Sequence, residues 1–400
     1  MSIEITIIIP TYNRYPLNHL SLISLEKQEF EMSKMEVILI DDNSSDQTSS
    51  LKNYNPPYCY KYIKNKRNLG RAKTRNLGVR LAKGSILIFL DAEVIVEPNF
   101  VSEHYKQHQI NNSAVCIGRY YNKVYSCLLP QFNKKQVKEV CLLTKRDSDV
   151  KKRIQQRLPN NQQVKTNFNN MIMNIKQPTQ LLFEADIHAP LLKSFSLRAR
   201  NFEQIVDCVE KHARIPWMGC ITMNLSLRKS LIELVGGFDE TFIGWGLEDY
   251  ELAFRLYKLG AEFVLANNVR VSHQEHQIST ERQNELAKNL LKFQQKHPFI
   301  EIFILSIKLV RIKNKYHLMN DIVTEYYALP NDQFMVFKEV IISMLKQVAL
   351  LKANELRITN LLQKTKFAKT ANKNLLLERD KLEFMGLRKI VKLFDYLTSL

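Results

Sequence analysis

EITIIIPTYN, residues 4–13, is the stretch from which the fold reads out. Its β-branched run stops at Pro10, and an apolar run without polar alternation marks a strand buried on both faces. Residues 35–41 (MEVILID) and 86–91 (ILIFLD) repeat the pattern. Helical patterns lie between, over 17–27 before the second strand and over 70–82 before the third. This alternation predicts an α/β fold, a mainly parallel sheet with helices on both faces. Such sheets bind ligands beyond the carboxyl ends of their strands. Each strand here ends in polar residues: Thr11, Tyr12 and Asn13; Asp41, Asp42 and Asn43; Asp91 and Glu93 around Ala92. Three polar ends in succession predict a site.

Further along, residues 120–215 turn rich in Lys, Asn and Gln, with scattered apolar positions. They predict a basic, mostly helical insertion, placed to act as an acceptor-side lid. A strand-like stretch runs from 217 to 227, followed by a helix from Arg228. Residues 248–259 form an amphipathic helix with Leu252, Ala253, Leu256 and Leu259 on one face, closed by Gly260. Residues 262–266 and 269–273 read as short strands. Beyond 280 the chain reads as helix and almost lacks glycine. The expected organisation is one domain over 1–280 and a helical region over 281–400.

The formal net charge is +18, with 45% hydrophobic and 24% charged residues. Residues 121–215 carry 17 Lys or Arg against 8 Asp or Glu, and residues 301–400 carry 17 against 10, which leaves only +2 elsewhere. The basic character therefore belongs to the insertion and the tail. It suits an anionic partner or a plain solvated surface. The last segment, KLEFMGLRKIVKLFDYLTSL (381–400), is compatible with peripheral membrane contact, a homo-oligomer contact or docking on protein. Cys59, Cys116, Cys127, Cys141, Cys208 and Cys220 show no CxxC spacing and read as free thiols in a reducing compartment. Without a signal peptide or an uncharged run approaching ~20 residues, the expected location is the cytoplasm, with peripheral contact at the inner membrane face.

Several residues could carry chemistry. Asp91 and Glu93, two apart at a strand end, can converge on one divalent cation, which takes oxygen ligands. Asp41 and Asp42 offer acceptors to a uracil or a ribose, or else cap a helix together with Ser44, Ser45 and Asp46. Asn68, Arg71 and Arg75 stand where a helix begins and a pyrophosphate could lie. GWGLEDYE (244–251) is the sharpest signal. Its glycines let the backbone approach a ligand, Trp245 offers a flat face to a sugar ring, and Glu248 and Asp249 open a helix whose dipole favours ionised carboxylates. A carboxylate held beside a sugar hydroxyl is what a general base requires. His273 ends a short strand and reads as either a third metal ligand or a structural histidine.

TIIIPTYNR (6–14), VILIDDNSSDQT (37–48), NLGRAKTRNLG (68–78), ILIFLDAE (86–93) and GGFDETFIGWGLEDYELAFRL (236–256) together resemble the family 2 glycosyltransferases of GT-A fold. The last block is similar to the motif shared by galactosyltransferases, polypeptide N-acetylgalactosaminyltransferases and chondroitin-type polymerases. The resemblance covers residues 3–120 and about 216–276. It implies a metal-assisted, inverting transfer from a nucleoside-diphosphate sugar, a UDP-sugar by family habit, to a glycan, lipid-linked or peptide hydroxyl. The nucleotide sugar would be held by Pro10, Thr11, Tyr12, Asn13, Asp41, Asp42, Asn68, Arg71, Arg75, Asp91 and Trp245. Mn²⁺ or Mg²⁺ would sit on Asp91, Glu93 and His273. Gly244, Trp245 and Glu248 would meet the acceptor, and Asp249 would be the base, with Glu248 beside it. Glu93 departs from the family pattern, which has Asp there.

Rival readings fit less well. A nucleotidyltransferase or a dinucleotide-dependent oxidoreductase would carry a glycine-rich loop after the first strand, and PTYNRYP is not one. A nucleic-acid binder accounts for the charge but not for acidic strand ends. A non-catalytic sugar-binding relative stays open at this level.

Overall fold

A computed structural model of the protein describes residues 2–158, 168–199, 209, 214–312, 315–330, 333–368 and 374–400. The chain forms two compact units, one of residues 1–203, 220–239 and 252–279, the other of 204–219, 240–251 and 280–400.

The first unit is built on a nine-stranded sheet. Its strands are β1 (Ile5–Thr11), β2 (Met35–Asp41), β3 (Cys59–Lys64), β4 (Ile86–Leu90), β5 (Val94–Val96), β6 (Ala114–Val124), β9 (Ser196–Arg198), β10 (Asn224–Arg228) and β11 (Glu262–Gln274). Strands β7 (Cys127–Leu128) and β8 (Thr179–Gln180) form a separate pair. The order is β3-β2-β1-β4-β10-β6-β11-β5, with β9 on β6. Pair directions put β3, β2, β1, β4, β6 and β11 in one sense and reverse β10, β5 and β9. The sheet is thus mainly parallel, as the buried runs of β1, β2 and β4 require. Register sets Thr11 beside Asp41, so the first two polar strand ends are neighbours.

Helices α1 (Leu17–Ser24), α2 (Arg71–Leu81) and α3 (Phe100–Ile110) belong to this unit. Ile7, Ile9, Val37, Leu39, Ile88 and Leu90 share one core with Phe100 and Val101 of α3. Between β1, β2 and β4 a buried carboxylate closes the turn. Glu36 Oε1 accepts from the Thr6 hydroxyl (2.6 Å), and Thr6 Oγ1 in turn accepts the Gly84 N–H (2.8 Å). A Cβ at Gly84 would lie 2.6 Å from the Ile5 carbonyl carbon, which explains the glycine.

The sequence expectation has no strand at β5, β6, β7, β8 or β9, and it differs in three further places. The stretch 217–227 is a 3-10 turn over Pro216–Gly219 followed by the short β10. The two short strands over 262–273 are one strand, β11, bulged between Ala266 and Arg270, where the polar Asn267 and Asn268 interrupt the apolar run. Strand β3 was not legible at all. As an edge strand it alternates Tyr with Lys and buries none of its residues fully.

Within 120–215 the described residues hold strands β7, β8 and β9, helices Ser148–Arg157, Phe168–Met173 and Pro190–Ser194, and, ahead of these helices, the helix Lys134–Arg146. Asn133 and Gln136 form a capping box at its start. Val137, Val140, Leu143, Val150 and Ile154 join Leu20, Ile23, Tyr125 and Phe195 in a second apolar core. Residues 159–167 and 200–208, which the lid expectation includes, lie outside the described residues, as does Cys208. The other five cysteines are free.

The second unit is helical, with main helices Arg282–Lys296, Lys315–Ala328, Met335–Ala353, Asn374–Phe384 and Arg388–Ser399. In the last, Ile390, Val391, Leu393, Phe394 and Leu397 are buried, and the Phe394 ring lies 5.0 Å from that of Phe337. Glu325 caps the same helix, accepting the N–H groups of Lys389 (2.9 Å) and Ile390 (2.8 Å). The apolar face of the helix Arg388–Ser399 is therefore already engaged, whereas Phe384 and Met385 are exposed. No helix among the described residues is long and apolar enough to cross a membrane.

Candidate active site

The carboxyl end of the sheet is laced by its own carboxylates. Asp41 is fully buried; Oδ1 accepts the Ser44 N–H (2.7 Å) and Oδ2 the Tyr62 hydroxyl (2.6 Å). Asp42 Oδ1 accepts from Asn65 Nδ2 (2.7 Å) and the Leu69 N–H (2.8 Å), and Oδ2 accepts the Gly70 N–H (2.8 Å). Gly70 has φ 84°, a left-handed conformation that glycine adopts freely, and α2 begins at the next residue. Asp42 thus holds the two N–H groups just ahead of α2. Asn13, at φ 52°, accepts the Ser45 N–H (2.8 Å) and donates its own N–H to Ser44 Oγ (2.9 Å). Thr11 Oγ1 accepts from Asn18 (3.1 Å). Pro10 closes β1, Arg71 opens α2 half-buried, and Asn68 is exposed. Tyr12 projects from this rigid edge with 48% of its surface exposed.

Asp91 and Glu93 have different direct partners. Asp91 faces α2, where Nη2 of the buried Arg75 lies 3.2 Å from its Oδ1. Arg75 also lies over the Phe238 ring at 5.6 Å. The neighbouring Asn76 exchanges two hydrogen bonds with the Phe238 backbone, at 2.9 and 2.8 Å. A Cβ on Gly237 (φ 77°) would stand 2.7 Å from Asn76 Oδ1, so GGF and RNLG are fitted to each other.

Glu93 meets residues of β11 and the segment after it, because β5 pairs antiparallel with β11, bringing Val94 opposite His273, and the Gln274 N–H donates to the Glu93 carbonyl at 2.8 Å. Glu93 Oε1 lies 2.8 Å from His276 Nε2 and 3.9 Å from His273 Nε2, and Oε2 lies 3.3 Å from Arg14 Nε. Burial by itself would raise the Glu93 carboxyl, but Arg14, His276 and His273 outweigh it and hold the group well below the usual carboxylate range. Burial lowers His273 against the pull of Glu93, favouring the neutral imidazole that binds metals. One ligand atom from each of Glu93, His273 and His276 lies within 4.8 Å of the others. Among the described residues the buried Nδ1 of His273 has no hydrogen-bond partner, the Glu275 Oε1 atom standing 4.0 Å away. A carboxylate with two imidazoles is a donor set for a first-row divalent cation, so the residues fit one. Asp91, expected as the principal ligand, stands outside this trio, and His276 takes a place the sequence reading did not give it. The spacing HxxH in VSHQEHQ was the available signal.

In the second unit, the loop before helix Glu248–Lys258 has left-handed backbone at Gly244 (φ 78°), Gly246 (φ 103°) and Leu247 (φ 72°). The glycines relieve two of those positions, while Leu247 is strained at the entrance to the helix. Glu248 is buried and Asp249 half-buried, with Asp249 Oδ1 accepting the Tyr250 N–H at 2.9 Å. Glu251 is fully buried and paired with Lys296 (2.9 Å) and His297 (3.0 Å), which makes it structural. Trp245 has one ring face covered by the Arg282 guanidinium, 3.5 Å from the centroid.

Comparison with known proteins matches residues 6–174 to the model "Glycosyl transferase family 2" and residues 204–278 to "N-terminal domain of galactosyltransferase". Residues 6–174 belong to glycosyltransferase family 2. An uncharacterized glycosyltransferase of Bacillus subtilis is 28% identical over 71% of this chain and 68% of its own length. The validoxylamine A glucosyltransferase of Streptomyces hygroscopicus subsp. jinggangensis is 27% identical over 74% of this chain and 61% of its own length. The chain thus spans about two thirds of these two relatives. The S. aureus TarS 1–349 structure in complex with UDP-GlcNAc overlaps 99% of this chain and 90% of that one at 13% identity, with a TM-score of 0.47. For this glycosyltransferase the strand order and strand-end carboxylates carry the fold assignment independently of that overlap.

Proposed function

We propose that this glycosyltransferase moves a sugar from a nucleoside diphosphate, in the first instance UDP, to a hydroxyl of a glycan, lipid-linked or peptide acceptor, with inversion. The observation that carries this reading is the Glu93–His273–His276 trio at the end of a family 2 sheet, two residues beyond Asp91.

Thr11, Tyr12, Asp42, Asn68, Arg71 and Arg75 form the nucleotide-facing set. Asp41 and Asn13 keep its loops rigid, so little reorganisation is needed on binding. Tyr12 stacks on the base, its ring being free for that purpose. Arg75 fixes the Asp91 carboxylate, which orients the donor. Glu93, His273 and His276 would hold Mn²⁺ or Mg²⁺, which when bound supplies positive charge to the diphosphate leaving group. Trp245 offers its remaining face to the acceptor sugar, and Gly244 and Glu248 shape that contact. Asp249 accepts the proton of the acceptor hydroxyl as that oxygen attacks the anomeric carbon opposite the departing diphosphate. Attack and departure on opposite faces invert the configuration.

The test is a screen of UDP-glucose, UDP-galactose, UDP-N-acetylglucosamine and UDP-N-acetylgalactosamine with and without Mn²⁺, reading released UDP. Release from at least one donor, strengthened by Mn²⁺, is expected. Silence with every donor at all Mn²⁺ concentrations would remove the UDP-sugar reading.

A further inference from the structure

One face of the helix Arg282–Lys296 fastens the loop that carries Trp245. Glu285 Oε2 accepts the Trp245 N–H at 3.0 Å. Asn289 Nδ2 donates to the carbonyls of Ile243 (3.0 Å) and Gly246 (2.9 Å). Lys292 donates to the Thr241 carbonyl. Arg282 lies flat on the indole, 3.5 Å from its centroid. These four residues stand at helical intervals of three, four and three, which places them on one stripe. The fit is close: a Cβ on Gly244 would stand 2.7 Å from the Glu285 carboxyl carbon, and one on Gly246 would stand 3.2 Å from Leu286.

Of the three left-handed positions in this loop, Leu247 is not glycine and is strained in that conformation. It keeps that shape only if its surroundings over-determine it. Of the fastenings named here none comes from within 241–247; they come from a helix beyond the region that carries the family motifs.

We infer that Arg282, Glu285 and Asn289 are positioning residues for acceptor binding: they set the plane of Trp245 and leave one face of its ring open to a sugar. This rests on the reading of Trp245 as an acceptor contact. It gives the helix after residue 281 a function in the reaction, where the sequence offered it none. Glu285 acts as an acceptor of one backbone N–H, a task a glutamine carbonyl can also perform. Arg282 acts by planar stacking, which lysine cannot reproduce.

The experiment uses the full chain with Glu285→Ala, Glu285→Gln and Trp245→Phe. Acrylamide quenching of tryptophan fluorescence separates half-buried Trp245 from buried Trp217, with Trp245→Phe assigning the signal. Glu285→Ala should raise the quenching constant of Trp245 about twofold or more, and Glu285→Gln should leave it near the wild-type value. With p-nitrophenyl glycosides as acceptor probes, Glu285→Ala should raise acceptor KM about tenfold and leave donor KM unchanged. Unchanged quenching in Glu285→Ala, or equal loss in Glu285→Gln, overturns the clamp. An equal rise in donor and acceptor KM overturns the positioning role. Trp245→Ala with unchanged acceptor KM would instead remove the acceptor reading of the loop, which the quenching measurement does not depend on.

Discussion

Nε2 of His276 lies 2.8 Å from Oε1 of Glu93. With His273 Nε2 at 3.9 Å from the same oxygen, a cation would find its ligands already gathered. Replacing His276 by Ala should therefore raise the Mn²⁺ concentration for half-maximal UDP release by about tenfold or more. Electron paramagnetic resonance of free Mn²⁺ measures the same loss without any turnover. Wild-type Mn²⁺ affinity in the variant would remove His276 from the ligand set.

Arg75 is 2% exposed, and its guanidinium faces a partly exposed Asp91. Arg75→Ala should lower stability by about 1–2 kcal/mol, discounted from a fully buried pair because Asp91 reaches water. It should also lower donor turnover, since Asp91 loses its orientation. Arg75→Lys should restore little, because an ammonium does not match the guanidinium's planar fit over Phe238. A urea midpoint equal to wild type in Arg75→Ala would show that the pair contributes nothing to the fold.

Asp249 and Glu251 lie two residues apart but should respond differently. Asp249→Asn keeps donor binding and loses transfer by about 100-fold or more. Glu251→Gln should lower the melting temperature instead, because Lys296 and His297 lose a fully buried charged partner. Full transfer by Asp249→Asn would exclude it as the base, and an unshifted melting temperature in Glu251→Gln would exclude the structural role.

His104 and His108 lie inside the first unit. Each contacts the Ser226 hydroxyl, His104 through Nδ1 (2.8 Å) and His108 through Nε2 (2.7 Å), and His104 Nε2 also contacts Asn224 Oδ1 (2.9 Å). Burial pushes His104 down to about 3 and His108 down to about 4, from an ordinary 6.5. A folded pKa below the unfolded one means that the unfolded chain takes up the proton first. Stability is complete above pH 6.5 and falls as pH drops from there toward 4 and 3. At pH 5 His104 alone should cost about 2 kcal/mol. Urea unfolding at pH 7.5 and pH 5.0 checks this, and His104→Gln should flatten the difference. Equal pH dependence in the two proteins would place the acid sensitivity elsewhere.

Some of this was legible before any coordinates. β1, β2 and β4 are largely apolar runs ending in polar residues, the composition that a strand buried on both faces favours, and the buried Thr6 and Glu36 within them satisfy each other. β3 and β9 escaped because edge strands need bury only part of one face, which leaves no periodic signal. GWGLED stood out because glycine is rarely placed twice in three residues unless the backbone requires φ above zero, and Gly244 and Gly246 both do.

The sequence by itself determined the parallel sheet, the strand-end position of the site and the residue types available there, since each follows from local composition and period. It could not decide which carboxylate meets which partner. Asp91 and Glu93 are two residues apart, yet one turns to Arg75 of α2 and the other to His276, because β5 pairs with a strand that begins 168 residues after Val94. Pairings across such distances are fixed by the register of the sheet. In the same way the plane of Trp245 depends on Glu285, Asn289 and Arg282, residues outside the motif, whose arrangement exists only once the helix that carries them is packed.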